Sequence, residues 1–484
     1  MHLSELPDIR SRRDPDGAAI ADDDVELTNA QFADAVRRAA AALRAYGVAA
    51  GDVVAVNLPN TTGLVVTLFA AWRLGAAVTP INPSLVDAEV DYQVRDADAE
   101  IVVTDRAGNS TVHVSELTSH PAADDTPAHV SDDALALLIY TSGTTGRPKG
   151  VMLDHANLDA MCAMVIEAFR LSSSDHSLLI LPLFHVNGIV VGTLSPLLAG
   201  GRATIAGRFS PSAFFDRLER SRATYFSAVP TIYTMLADLP ADIEPDTSAV
   251  RFGICGAAPA SVQLLEKFEN RFGFPLIEGY GLSEGTCASA VNPLDGMRKP
   301  GTVGRPLPGQ TIRIADGSGG PVADGGVGEV LIQSPTVMRG YLNRPEETAR
   351  TVVDGWLRTG DIGRLDEDGY LVLVDRAKDM IIRGGENIYP KEIEAVVYEL
   401  PDVATAAVVG RPSAVYGQEP VLFVAPNTGA TLTAAQILAH CRAHLSKYKL
   451  PVDVTILDEL PRNAVGKLDK PALRRSFSPA AQPA

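Results

Sequence analysis

Up to about residue 375 the chain alternates segments of helical apolar spacing with short β-rich runs. Ala33 to Tyr46 predicts a helix, Val53 to Asn57 a strand, Leu64 to Leu74 a helix and Ala77 to Ile81 a strand, an order that implies α/β layering. Further on, Ser261 to Phe272 gathers Leu264, Leu265, Phe268 and Phe272 on one helical face and leaves Glu266, Lys267 and Glu269 elsewhere, as a helix packed on a core requires. The longest apolar region, Leu64 to Ile81, is interrupted by Arg73 and carries Trp72 and Gly75 near its middle. It reads as a buried helix running into a strand rather than a membrane span. No internal repeat is present, and the Pro/Ala-rich tail from Ser478 is expected to fray.

The pattern changes after Leu371-Val-Leu-Val374. Asp375-Arg-Ala-Lys378 precedes the glycine pair Gly384-Gly385, and a compact β/α region then runs to about residue 475. A chain of 484 residues exceeds what one hydrophobic core usually supports. Two domains are therefore expected, 1–375 and 376–484, with a junction near Lys378 whose polar residues either absorb a large backbone rotation or form a static surface loop.

One stretch fits neither pattern. The apolar run Ala134 to Ile139 leads into Tyr140-Thr-Ser-Gly-Thr-Thr-Gly-Arg-Pro-Lys-Gly150, with three glycines, the hydroxyls of Thr141, Ser142, Thr144 and Thr145, and Lys149. Gly143 and Gly146 let backbone N–H groups turn toward an anion, the hydroxyls add donors and Lys149 adds a mobile charge, so the segment reads as a phosphate-gripping loop. It is not a Walker A loop, because only two residues separate Gly143 from Gly146 and Lys149 is followed by Gly150 rather than Ser or Thr.

Composition narrows the partners. A formal net charge of −17, with no clustered run of Lys and Arg, argues against a nucleic-acid role. Cys162, Cys255, Cys287 and Cys441 are widely spaced and form no Cys-x-x-Cys pair, which suggests neither a disulfide framework nor a zinc site and points to a reducing compartment. The segment Met1 to Arg10 lacks the basic-then-apolar order of a signal peptide, so a cytoplasmic location is expected.

From about Leu27 to Leu473 the sequence resembles the acyl-activating adenylate-forming enzymes: acyl-CoA synthetases, firefly-luciferase-like enzymes and the adenylation domains of peptide synthetases. The resemblance is carried, in family order, by the loop Tyr140 to Gly150, Leu181-Pro-Leu-Phe-His185, Gly279-Tyr-Gly-Leu-Ser-Glu284, Gly301-Thr-Val-Gly304, Trp356-Leu-Arg-Thr-Gly-Asp361, Asp375-Arg-Ala-Lys-Asp379, Gly384-Gly-Glu-Asn-Ile-Tyr-Pro390 and Pro461-Arg-Asn-Ala-Val-Gly-Lys467. It implies an α/β fold with a large N-terminal domain of layered β-sheets and helices and a small, mobile α+β C-terminal domain pivoting at Lys378. It also implies ATP, Mg²⁺ and CoA, and a reaction in two steps. A carboxylate attacks the α-phosphorus of ATP to give acyl-adenylate and pyrophosphate, and a thiol, usually that of CoA, then displaces AMP.

The resemblance assigns roles residue by residue. Thr141, Ser142, Gly143, Thr144, Thr145, Gly146 and Lys149 surround the phosphates, Glu284 resembles the Mg²⁺-associated glutamate, and Ser283 keeps the hydroxyl that family members more often supply from threonine. Tyr280 and Gly281 face Gly256-Ala257-Ala258-Pro259 across an adenine slot, Asp361 resembles the acceptor of both ribose hydroxyls, and Arg376 the cation near ribose and phosphate. Lys467 resembles the catalytic lysine that bridges the carboxylate and the α-phosphate. Read singly, Glu284 is equally a solvated loop acid, Asp361 a helix cap and Lys467 an ordinary surface lysine. His185 resembles a gate between acyl pocket and phosphates, and no proton shuttle is needed because a carboxylate already carries the nucleophilic charge.

Amino-acid-activating relatives usually carry an aspartate just after the aromatic of the His185 motif, where this chain has Val186-Asn187, and malonate-type relatives tend to place an arginine beside the tyrosine, where it has Gly279. An uncharged fatty, branched or aromatic acid is therefore expected, in a pocket bounded by His185, Val186, Ala228, Val229, Pro230, Gly256, Gly279, Gly281 and Leu282. Gly384, Gly385, Glu386 and Asn387 resemble the lining of the pantetheine tunnel, with Tyr448 against the CoA adenine. Leu450 departs from a position that is often basic, and Lys447 and Lys449 are the neighbours able to compensate. The expected activity is an acyl-CoA synthetase, in a monomer or homodimer without a membrane-integral segment. A carrier-protein-loading adenylate ligase and a non-enzymatic ATP- and acyl-binding relative are the alternatives.

Overall fold

The computed structural model describes residues 2–106, 111–122, 126–141, 148–258, 260–317, 319–376, 379–383, 386–413, 415–462 and 468–477, without the side chains of Arg376, Glu386 and Asn387. The backbone divides into two compact units. The first comprises Met1–Arg313, Leu331–Arg358 and Asp368–Leu371, and the second Ile314–Val330, Thr359–Glu367 and Val372–Ala484.

The first unit is built on two large sheets with helices packed on them. One has nine strands, in the order Arg305–Pro306, Ala290–Val291, Leu276–Tyr280, Phe252–Cys255, Tyr225–Ala228, His176–Leu179, Arg202–Ile205, Ala18–Ala21 and Glu26–Thr28. Its middle strands are parallel, as the alternation of helix and strand requires. The other has seven strands, from Gly340–Tyr341 through Lys149–Asp154, Leu135–Thr141, Ala77–Pro80, Val53–Asn57 and Ile101–Thr104 to Thr111–His113.

The early predictions land closely. Val53–Asn57 is a fully buried strand and Ala77–Pro80 pairs beside it in parallel. The helix expected from Ala33 begins earlier, at Asn29–Ala45, because Thr28 and Gln31 form a reciprocal capping box that satisfies its first N–H groups. Thr62–Leu74 is buried almost all round and ends on Gly75 at φ +80. Its lone charge, Arg73, lies buried and pairs with Asp8 at 2.5 Å, which explains how an arginine sits inside an apolar run. Val262–Phe272 starts from a Ser261 cap and buries Leu265, Phe268 and Phe272, each worth about 1.5–3 kcal/mol of burial.

In the second unit the long antiparallel pair Val403–Ser413 and Gly417–Pro426 is covered on both faces. Val408, Leu422 and Val424 pack under Ile393 and Val397 of the helix Pro390–Tyr398 and Ile437 and Cys441 of the helix Ala434–His444. The alternate residues Ala407, Val409, Val421 and Phe423 meet Leu460 and Leu473 on the other side, as a period of two dictates. This is the small α+β domain, and among the described residues no helix is long and apolar enough to cross a membrane.

Candidate active site

The phosphate-loop candidate joins two antiparallel strands, Leu135–Thr141 and Lys149–Asp154, with Thr141 directly opposite Lys149. A Walker loop would open a helix instead. Ser142, Gly143, Thr144, Thr145 and Gly146 lie outside the described residues. The Pro148–Lys149 end of the segment meets a charged cluster. Lys149 Nζ meets Glu347 Oε2 at 2.6 Å and stands 4.3 Å above the ring of Tyr341. The Tyr341 hydroxyl donates to Glu284 Oε1 at 2.8 Å. Glu347 also takes Arg344 at 3.1 Å, and Arg344 reaches the hydroxyl of Tyr92, which itself donates to the Pro148 carbonyl at 3.1 Å.

Local folding explains the meeting. Gly340–Tyr341 pairs with the strand that begins at Lys149, so Tyr341 lies opposite Val151. The helix Pro345–Thr351 follows at once, with proline at its start and Glu346 and Glu347 in its first turn, where acids favour the helix dipole. Lys149 and then Arg344 hold the Glu347 carboxyl below the usual range, although burial pulls the other way. Burial, and then the nearby Glu284 charge, raise the Tyr341 phenol, so it remains a donor at neutral pH. Tyr341, Arg344 and Glu347 escaped the sequence reading. Gly340-Tyr-Leu-Asn-Arg-Pro-Glu-Glu-Thr348 carried the signal, a proline and paired acids announcing a helix start.

The second group stands at the C-terminal ends of neighbouring parallel strands, where open α/β sheets form crevices. Tyr225–Ala228 ends in buried Ala228, with half-buried Val229 and Pro230 beyond it. Phe252–Cys255 ends in Gly256, whose N–H bonds the Ala228 carbonyl at 3.2 Å, and a Cβ on Gly256 would sit 3.3 Å from the Gly279 carbonyl. Ala257 follows at φ +65, a left-handed conformation costly for a side-chain-bearing residue, and both Ala257 and Ala258 are exposed. Pro259 lies outside the described residues. Leu276–Tyr280 carries Gly279 and buried Tyr280, and a Cβ on Gly281 would fall 1.7 Å from the Cys287 carbonyl, so only glycine fits there. Half-buried Leu282 leads into the turn Ser283–Gly285, which presents Glu284 to Tyr341.

His185 stands next in space, after the neighbouring strand His176–Leu179. Asn60 grips this segment from both sides, donating to the Leu181 carbonyl and accepting from the Leu183 N–H, each at 2.9 Å. His185 lies 4.6 Å from the Phe184 ring and precedes the helix Val186–Ile189, in which Val186 is buried. A π-helical turn, Val190–Leu194, continues it, a local widening that sequence periodicity does not reveal.

In the second unit, Asp361 is 4 % exposed on the strand Trp356–Leu365 and its N–H bonds Thr359 Oγ1 at 3.0 Å. Arg376 ends the strand Leu371–Arg376. Asp375 accepts the Lys391 N–H at 2.9 Å and so caps the helix Pro390–Tyr398, a role the sequence reading missed. Glu386 and Asn387 pair antiparallel with Arg383 and Ile382, and Gly384 and Gly385 lie outside the described residues, as do Lys378 and Lys467. Tyr448 is partly exposed, and Lys449 pairs with Glu392. Leu450 packs against the domain core, which accounts for an apolar residue at that position.

The comparisons with known proteins match this architecture. The AMP-binding enzyme family covers residues 8–342, and the AMP-binding enzyme C-terminal domain covers residues 392–467. The chain belongs to the AMP-binding enzyme family. Among curated members it is 38% identical to the feruloyl-CoA synthase of Amycolatopsis sp, over 98% of this chain and 99% of that one, and 36% identical to the oxalate–CoA ligase of Arabidopsis thaliana, over 98% of each. Its fold superposes with a TM-score of 0.88 on the O-succinylbenzoate coenzyme A synthetase of Bacillus subtilis in complex with ATP and magnesium ion, at 31% identity over 98% of this chain and 99% of that one. As an AMP-binding enzyme of this kind, the protein is an ATP-dependent, AMP-forming acyl-CoA ligase that uses ATP and CoA.

Proposed function

We propose that the acid activated is an uncharged fatty, branched or aromatic carboxylate. The observation that carries this reading is the composition of the strand ends: Ala228, Val229, Gly256, Gly279 and Leu282 are small or apolar, and none of these five is a cation for a second carboxylate or a sulfonate. Val186-Asn187 likewise supplies no carboxylate for a substrate ammonium.

Roles follow from the chemistry. In the first half-reaction a carboxylate oxygen bonds to the α-phosphorus while the bond to the β-phosphate bridge breaks and pyrophosphate leaves. Two anions collide, so positive charge and preorganised donors are the main requirement. Lys149 supplies the charge at the β- and γ-phosphates, joined by the Thr141-to-Gly146 loop. Glu284, a hard oxygen donor steadied by one hydrogen bond from Tyr341, suits Mg²⁺, which takes few protein ligands and favours phosphate oxygens. When bound, that ion neutralises phosphate charge. Ser283 contacts the α-phosphate, Tyr280 stacks on adenine against Gly256 to Ala258, Asp361 accepts from the ribose hydroxyls and Arg376 faces ribose and phosphate. His185 gates the acyl pocket.

In the second half-reaction the CoA sulfur bonds to the acyl carbonyl carbon, AMP leaves with the mixed-anhydride oxygen, and the thiol proton passes to solvent. Gly384, Gly385, Glu386 and Asn387 line the pantetheine path, with Tyr448 and Lys449 toward the nucleotide end of CoA. Lys378 is the pivot between domains 1–375 and 376–484, and Lys467 bridges the carboxylate and α-phosphate in the first step alone.

The division of labour is testable with the half-reactions separated. Lys467→Ala should slow acid-dependent pyrophosphate exchange by roughly 100-fold or more, on the scale of a lost oxyanion donor. Thioester formation from supplied acyl-adenylate should be largely spared. Equal loss in both steps would remove Lys467 from the role given to it.

A further inference from the structure

We propose that the second unit carries a transition-metal site formed by Glu399, His440 and His444, independent of the ligase reaction. His440 and His444 are four residues apart on the helix Ala434–His444, so they share one face, with ring centroids 4.3 Å apart. Glu399 comes from the residue that caps the C-terminus of the helix Pro390–Tyr398. One ligand atom from each of the three lies within 4.8 Å of the others.

The hydrogen bonds present assign the ring nitrogens that would serve as ligands. His444 Nδ1 lies 2.9 Å from the His440 carbonyl and can only donate to it, which leaves Nε2 as the nitrogen with a lone pair. His440 Nε2 meets Glu399 Oε2 at 3.0 Å. A metal replacing the proton between them needs about 2.0–2.2 Å to each atom, so this pair opens by a few tenths of an ångström, while the wider 4.8 Å span of the three ligands closes by side-chain rotation. Both groups reach solvent, so an ion can enter without unfolding the domain.

Two imidazoles and one carboxylate select a borderline ion such as Zn²⁺, Co²⁺ or Ni²⁺ over Mg²⁺, which prefers oxygen. Cys441, between the two histidines, is fully buried in the core and does not compete. The ion ties together the outer ends of two helices whose inner faces share Ile393, Val397 and Ile437. Cysteine spacing and the Glu284 motif do not point to this site, and the pair His440-x-x-x-His444 is inconspicuous in sequence because its third ligand lies 41 residues from His440.

The test is a titration of the full-length protein, stripped with chelator, with ZnCl₂ by calorimetry and with Co²⁺ by visible absorption. One equivalent of Zn²⁺ should bind at micromolar or lower concentration, Co²⁺ should develop the visible bands of a low-coordinate N/O site, and Zn²⁺ should raise Tm. Glu399→Gln, a surface change compatible with folding, should weaken binding by several-fold, and His440→Ala with His444→Ala should weaken it by about 100-fold and abolish the Tm shift. Unchanged stoichiometry and affinity in the double variant, or no saturable binding by the native chain, would overturn the site.

Discussion

At the scale of single residues, the pairing of Lys149 with Glu347 at 2.6 Å bears on the role proposed for the lysine. If Lys149 serves the β- and γ-phosphates, ATP has to displace the Glu347 carboxylate from it. A partly exposed pair of this kind is worth at most about 1 kcal/mol, so Glu347→Gln should lower KM for ATP by roughly three- to fivefold. A rise in KM would mean instead that Glu347 positions Lys149 in the bound complex. Glu278, one residue before Gly279, offers a pH test. Burial pushes its carboxyl from 4.5 up to about 7. Between those values the folded protein keeps a proton that the unfolded chain has lost, so stability falls as pH rises through this window, by up to roughly 3 kcal/mol beyond it. Glu278→Gln keeps an acceptor for the Ala260 N–H and removes the titration. Its Tm advantage over wild type should therefore be small at pH 4.5 and grow to a plateau above pH 7; a pH-independent difference would show that Glu278 ionises freely in the fold.

At the scale of elements, what was legible was what depends on near neighbours. Val53–Asn57 emerged from its β-branched run and Val262–Phe272 from its apolar stripe, whereas Asn29–Ala45 began before its apolar period because a polar capping box, not hydrophobicity, starts it. The segment proposed as a phosphate loop stood out by its glycines and hydroxyls, but nothing local showed that the strands on either side of it pair antiparallel. The Lys149–Glu347 contact could not be read at all, since 198 residues separate the partners and only the pairing of Gly340–Tyr341 beside Lys149–Asp154 brings them together. Strand pairing also bears on the role proposed for Gly279 in the acyl pocket. Gly279 lies opposite Val291, whose Cγ1 would be 3.2 Å from a Cβ at position 279. Gly279→Leu must therefore displace Val291 or enter the crevice. For long-tailed acids it should cost roughly 10- to 150-fold in kcat/KM, through about 1–3 kcal/mol of overpacking, with short acids affected much less and Val291→Ala restoring part of the loss. A parallel drop for every chain length would assign Gly279 to backbone geometry near the nucleotide.

At the scale of the whole molecule, membership of the AMP-binding enzyme family fixes the reaction, and the crevice must select the acid. Relatives of almost equal identity are a feruloyl-CoA synthase and an oxalate–CoA ligase, so overall similarity does not choose between a bulky aromatic acid and a small dianion. The proposed preference rests on side chains instead, because a buried carboxylate without a cation is strongly disfavoured. The most direct measurement is a panel of carboxylic acids incubated with the protein, ATP and Mg²⁺, with and without CoA, and read by mass spectrometry for acyl-adenylate, AMP and acyl-CoA. The account predicts acyl-CoA and AMP in equal amounts from alkyl or aromatic monocarboxylates, with adenylate alone when CoA is withheld and little product from oxalate, malonate or free amino acids. Preferential turnover of a dicarboxylate or an amino acid would contradict it.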